Sequence, residues 1–409
     1  MRPGGDLSDE IYKLGRYPIR TIRDAKAICS ALERIRPADT GKETTSIFSP
    51  LNTLLGSFQD VVSERAFLIL LNNGLPQLLR IFDEAISLKD PDQDALLYSL
   101  KIFALYKQPE GVERIALASK KQLAPDGYMW SVIFDAFDKS HPSRHYILDQ
   151  LRDPLPVGFA SIAYLDFANR IARENKIDRH PFDSAKGKLL LRRWIAKSPP
   201  AEFSYAVSAT ASLPWISNPE RDKLLKLAQK HPDQKVRLEA AWASAKIGDR
   251  KGIDQLVAMC LDPRFSELAT IYLKELGRKD VIPKQARTGD FKAMAEMCSW
   301  LAYPTEYGAP PDEIELYDTR RIYWPPTKDT RRVWLFKYCY KAGEARTKED
   351  VGIGMVGSIT FALFGEVTAK MSPEDVYSLH CCWELQMRHD KRAPKKRNVK
   401  EGRKLLKLN

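Results

Sequence analysis

The chain of 409 residues is poor in cysteine and histidine, with six of each, and it holds no long apolar run. Near its start the longest unbroken apolar stretch is 66–71, far short of the ~20 residues a membrane-spanning helix needs. The opening MRPGGDLSDE offers no apolar core of a secretory signal. A protein without a transmembrane segment, cytoplasmic in location, is therefore expected. Cys29, Cys260, Cys298, Cys339, Cys381 and Cys382 are scattered without paired spacing, which argues against a disulfide framework and fits a reducing compartment. Also missing are a nucleophile at meaningful distance from a base, paired metal ligands and a phosphate loop in context. No catalytic, cofactor-binding or metal-binding residue is assigned, and no enzyme activity is expected.

What is present is ordinary for a folded chain. Hydrophobic residues make up 44% and charged ones 29%, which excludes wholesale disorder. At this length two domains or one elongated array are expected. The formal charge of +12 is unevenly placed: 388–409 carry ten Lys or Arg against two acids, leaving only +4 for the other 387 residues. The body therefore has no charge that by itself demands a polyanion. The basic run reads as a solvated tail at 388–409, and Lys391, Arg392, Lys395, Lys396, Arg397, Lys400, Arg403, Lys404 and Lys407 are its candidate polyanion contacts. It lacks interleaved aromatics for stacking bases.

The strongest pattern lies at 233–277, where Asp233, Val236, Ala240, Ile247 and Gly248 recur 29 residues later as Asp262, Phe265, Ala269, Leu276 and Gly277. Val236, Ala240, Ala243 and Ile247 form one helical stripe, and Ile253, Leu256, Val257 and Cys260 form the next. Small alanines let the second helix come close, and a glycine ends each copy. Breakers recur at Pro109-Glu-Gly111, His141-Pro142-Ser143, 176–181, Asn218-Pro219, Gly248-Asp249 and Gly277-Arg278, at intervals of 29 to 40 residues. Gly74, Pro76, Leu78 and Leu79 suggest a turn and a following helix, and an opening helix is read at 11–36 with a loop at 37–45.

On these residues the segment 233–281 resembles the short HEAT-like repeats first associated with bilin lyases, and 72–82 resembles an armadillo repeat. Ser266 in place of Arg237 and Thr270 in place of Ala241 depart from the pattern in the second copy, as expected near the end of an array. The resemblance implies a mostly α fold: a right-handed α-solenoid of HEAT/armadillo-like hairpins at 46–302 after an N-terminal segment at 1–45.

Beyond about 300 the spacing changes to aromatic and β-branched runs at 313–317, 322–324, 332–340 and 359–364, punctuated by Pro325-Pro326 and Gly343. Ser372-Pro373-Glu374-Asp375 opens a helix whose apolar face is read as Val376, Leu379, Trp383 and Met387. A small α+β domain at 303–387 is expected. Within 332–340 alternation puts Trp334, Phe336, Tyr338 and Tyr340 on one face and Val333, Leu335 and Cys339 on the other. Both faces are apolar, which favours burial on both sides over a docking surface.

Gly352-Ile-Gly354-Met-Val-Gly357 satisfies G-x-G-x-x-G, but a charged loop precedes it and no βαβ unit surrounds it, so a glycine-rich turn or bulged strand is preferred. His380-Cys381-Cys382 are adjacent on a helix, about 100° apart, and cannot converge on one ion; a packed face with one exposed histidine is expected.

Helical arrays offer a concave face to partners, and Trp130, Arg192, Arg193, Trp194 and Trp242 are the candidates for it here. The expected function is a non-enzymatic scaffold or adaptor for another protein. The alternative is nucleic-acid binding through the basic tail and a HEAT-like groove, in its sharpest form like the alkylpurine DNA glycosylases. For that form Trp130 and Asp135 stand five apart and face different ways, and with Trp215 they make no recognisable motif.

Overall fold

The computed structural model describes residues 21–36, 63–121, 123, 127–197, 199, 202–303, 306–342 and 348–407. It is mostly helical, with one four-stranded antiparallel sheet near the carboxyl end. Contacts divide the chain into two compact units, Met1–Ala228 and Gln229–Asn409. Ile11, Leu14, the loop expected at 37–45 and Gly343 lie outside the described residues.

In the first unit, α1 (Ile22–Arg34) is opened by a reciprocal Thr21–Asp24 capping box. Then come α2 (Glu64–Ile69), a π-helical turn at Leu70–Gly74 and α3 (Leu75–Ala85). The turn expected at Gly74-Pro76 is absent. Gly74 keeps right-handed helical dihedrals and Pro76 sits in the first turn of α3, where a missing N–H costs nothing, so the chain stays helical through both. Next are α4 (Gln93–Tyr106), α5 (Pro109–Ser119), α6 (Gly127–Asp135), α7 (Arg144–Gln150), α8 (Phe159–Arg173), α9 (Ala185–Lys197), α10 (Phe203–Ala211) and α11 (Glu220–Gln229). The breakers read from the sequence fall between these helices or at their first residues.

Side chains of alternate helices, and of the segments between helices, meet within the first unit. Arg114 binds Asp83, Lys107 reaches Ser140, Arg170 pairs with Asp135, Arg144 clasps Glu174, Ser217 donates to Asp183, and Arg192 binds Glu220, at separations of 28 to 35 residues.

The His-Pro pairs do more than interrupt helices. The Nδ1 atoms of His141 and His180 accept from the backbone N–H two residues on, at 3.1 and 3.2 Å, and His231 in the second unit does the same at 3.0 Å. All three rings are buried, and burial holds each imidazole below its ordinary pKa, His180 at about 3. The neutral ring is thus the one that caps.

The second unit opens with α12 (Gln234–Lys246) and α13 (Arg250–Met259), followed by α14 (Ser266–Glu275). Asp233 and Asp249 cap the first two, and Gly248 and Gly277 end α12 and α14 at φ of 94° and 72°, where a side chain would be strained. Helix α12 is buried on nearly every side, from Val236 through Ala245, instead of along one stripe; Ile247 is exposed. The alanines act as expected and Gly252 completes them: a Cβ there would stand 2.5 Å from the Ala241 oxygen and the Ala245 nitrogen. Lys246 and Glu275, equivalent positions of the two copies, meet at 3.8 Å. Helix α14 begins only at Ser266, because Asp262 instead closes a turn on Arg264.

After α15 (Gly289–Leu301) the sheet runs as a meander: β1 (Glu313–Trp324), β2 (Asp329–Tyr340), β3 (Asp350–Val356) and β4 (Phe361–Phe364). The separate runs at 313–317 and 322–324 are one strand with an irregularity between Leu316 and Asp318. One face packs Phe336, Tyr338, Tyr340 and Ala362 on Ala293, Met297 and Leu301 of α15. The other packs Trp324, Val333, Leu335, Ile353 and Met355 on Val376, Tyr377, Cys381 and Leu385 of α17 (Pro373–Met387), which follows a short α16 (Glu366–Ala369). The alternation of β2 therefore reports burial on both sides. By packing, α15 belongs with the sheet, so the expected boundary after 302 falls behind one of its layers.

Three corrections concern this end of the chain. The buried face of α17 is Val376, Tyr377, His380, Cys381, Glu384 and Leu385, while Met387 is exposed. His380 is fully buried, not exposed. The stripe was hidden because His and Glu do not count as apolar. Lastly, 388–409 is not simply a solvated tail. It contains α18 (Val399–Leu406), capped by Asn398 and laid on α17 so closely that a Cβ on Gly402 would lie 2.2 Å from the Ser378 oxygen. Arg403 binds Asp375 at 2.6 Å, and Arg392 donates to the Pro325 carbonyl at 2.8 Å.

Candidate functional site

Helix α9 carries Lys186, Leu190, Arg193 and Trp194 at i, i+4, i+7 and i+8, a spacing that aligns them on one stripe. That stripe walls a cavity of 740 Å³ in the first unit. The start of α8 supplies Gly158, Phe159 and Ser161, and the start of α10 supplies Glu202 and Tyr205. Phe159 and Tyr205 stand edge to face, with ring centroids 5.7 Å apart. Trp194 is 8% exposed and packs its ring against Phe182.

The electrostatics of this cavity are uneven. Gly158, at φ 59° and ψ −143°, precedes α8 with no side chain capping the helix; its carbonyl accepts from the Ser161 amide at 3.2 Å, and the Phe159 and Ala160 amides ahead of it are the ones left to whatever enters. Lys186 and Arg193 are exposed and, among the described residues, form no ion pair. Burial and then the Glu202 charge push the Tyr205 hydroxyl up, so it is a protonated donor at neutral pH.

Of the five residues expected on a concave face, two meet here, Arg193 and Trp194. Arg192 points elsewhere and is held by Glu220. Trp130 is core: 1% exposed, stacked on Phe134, its Nε1 donating to the Leu123 carbonyl at 3.3 Å. Trp242 is fully buried in the second unit against Tyr272. Trp215 stacks on His180, and Asp135 is taken by Arg170. Lys186, Ser161, Phe159 and Tyr205 were missed. The signal for Lys186 was the stripe itself, since i, i+7 cations beside a tryptophan define one face; nothing local marked the others.

The glycine motif has a structural cause. Gly352 and Gly354 lie inside β3, where a Cβ would meet the Leu363 oxygen at 2.3 Å and Met297 Sδ at 2.2 Å. Gly357 leaves the strand at φ 112°. The glycines make room for neighbouring β4 and for α15.

His380 sits among Trp324, Phe361 and Trp383, with ring centroids 4.9 to 5.5 Å away, and burial lowers its pKa to about 4 against the pull of Glu384. The Glu384 carboxylate, fully buried, accepts from Trp324 Nε1 at 2.8 Å, Ser358 Oγ at 2.7 Å and Arg388 Nε at 2.9 Å. Among the described residues no group of three or more His, Cys, Asp or Glu is placed to hold a metal ion. All six cysteines are unpaired.

Of the nine basic residues expected to meet a polyanion, Arg403 is ion-paired with Asp375, Arg392 with Asp390 and Lys404 with Glu401. Lys391, Lys395, Lys396, Arg397, Lys400 and Lys407 are exposed. No helix among the described residues is long and apolar enough to cross a membrane. No family model, curated protein or solved structure matches the chain.

Proposed function

We propose that the chain is a non-enzymatic scaffold whose helical hairpins stack in the manner of HEAT/armadillo α-solenoids and hold another protein on an inner helix row. The observation that carries this reading is the set of polar ties between side chains 28 to 35 residues apart, joined by Lys246–Glu275 between equivalent positions of the two regular copies. Ties recurring at about the length of one helical hairpin are what stacked supersecondary units produce, and such stacks build extended surfaces. Arg193 and Trp194, which share one open cavity, are the part of that surface best suited to an anchor. Affinity capture from native lysate with the whole chain and with the K186E/R193E variant is the test. A partner recovered in stoichiometric amount by the first and lost by the second is expected; no such partner across several salt conditions would sink the reading.

A nucleic-acid reading is favoured by one observation. The exposed Lys391, Lys395, Lys396 and Arg397 are tethered through Arg392 to the β1–β2 turn, beside the half-exposed Tyr323. Deleting 388–409 would remove α18 from its seat, so charge reversal is the sharper experiment. The K395E/K396E/R397E variant should lose salt-dependent retention on DNA or heparin if this segment supplies the contacts. Unchanged retention would discard it.

A further inference from the structure

We propose that the α8–α9–α10 cavity of the first unit binds a phosphate monoester carried on an apolar or aromatic group. This goes beyond the scaffold reading and does not need it. Four features converge. The amides that open α8, a 15-residue helix, are uncapped by any side chain; that of Ser161 turns back on the Gly158 carbonyl at 3.2 Å, which leaves the Phe159 and Ala160 N–H groups at a helix start that favours an anion. Ser161 lies in that first turn, is 3% exposed and lines the cavity, yet its hydroxyl has no hydrogen-bond partner among the described residues. A buried hydroxyl left unpaired opposes folding unless a ligand completes it. Lys186 and Arg193 come from α9, form no ion pair among the described residues, and outnumber Glu202, the one carboxylate of the lining.

The ligand class follows from the donor set and the space. Amides, a hydroxyl, an ammonium and a guanidinium suit an oxyanion with three terminal oxygens better than a flat carboxylate with two. A cavity of 740 Å³ is far larger than one phosphate and falls within the range of small-ligand sites. Phe159, Tyr205 and Trp194 then face the group that carries the ester. An ammonium or guanidinium ligand is disfavoured by the same cations.

The test uses the full chain, titrated calorimetrically with phenyl phosphate, inorganic phosphate and phenol, and with the variants S161A, K186Q and R193Q. Phenyl phosphate should bind saturably, about tenfold or more tighter than inorganic phosphate, with phenol silent; each of K186Q and R193Q should weaken it about tenfold and S161A about fivefold. S161A should keep or raise the melting temperature, because the hydroxyl it removes is unpaired. No binding by 10 mM phenyl phosphate, or equal binding by all variants, overturns the proposal. So does a lowered melting temperature for S161A, which would make the hydroxyl structural. A phosphotyrosine peptide binding tenfold tighter than phenyl phosphate assigns the site to a phosphorylated chain segment; equal affinity assigns it to a free small ester. Partner capture is a separate readout, so failure here leaves the scaffold reading standing, and the reverse.

Discussion

The cavity of the first unit and the Glu384 cluster of the second treat polar groups in opposite ways. At Glu384 the carboxylate is matched on all sides: it is buried and collects an indole, a hydroxyl and a guanidinium. Around Ser161 a buried hydroxyl, two cations and a helix start are left open. Saturation marks a group that holds the fold together, since burial without partners is costly. Openness at several neighbouring groups marks a place for something else. The difference separates structure from site where burial alone does not, because Ser161 and Glu384 are almost equally hidden.

The largest test of that contrast is Glu384→Ala. It strands Trp324, Ser358 and Arg388 together and should cost about 3–5 kcal/mol in urea unfolding. A loss below about 1 kcal/mol would show that Trp324, Ser358 and Arg388 do not depend on the carboxylate.

Acid should weaken both units through their buried rings. His180 and His380 have folded pKa values of about 3 and about 4, below the unfolded value near 6.5. Above that value both states are neutral and stability is full. As pH falls below it the unfolded chain takes up protons first, so stability drops toward each folded pKa. Between pH 6.5 and 5 each ring should remove about 2 kcal/mol. A flat denaturation profile across that interval would contradict their burial.

Gly402→Ala asks whether the carboxyl-terminal segment is structure. The added methyl meets the Ser378 carbonyl and should cost about 1–2 kcal/mol, with faster proteolysis at 391–397. Wild-type protease resistance in this variant would return the segment to the status of a tail. Ser161→Ala should have the smallest effect, within about 0.5 kcal/mol of wild type or stabilising, by thermal melting.

Much of the local structure was legible in the residues. Asp233, Asp249 and Ser372 cap helices as their types demand, Gly248 and Gly277 stop them, and β2 carries an apolar residue on each face because each face is covered. The site was half legible. Arg193 and Trp194 stood out by type, and Lys186 shares their helical stripe. Ser161, Phe159 and Tyr205 carried no mark, since they join that stripe from other helices.

The sequence alone determined where several helices begin and end, that the first hairpin of 233–277 packs tightly, and that charge gathers at one end. Those properties depend on neighbours within a turn or two, through caps, breakers and periodicity. Only the tertiary structure decided that the glycines of 352–357 are clearances for a strand and a methionine, that His380 and Glu384 are core, and that the basic segment is anchored. The physical reason is shared. Whether a polar or small residue is buried, paired or left open depends on atoms brought close by chain folding, and these lie tens of residues away.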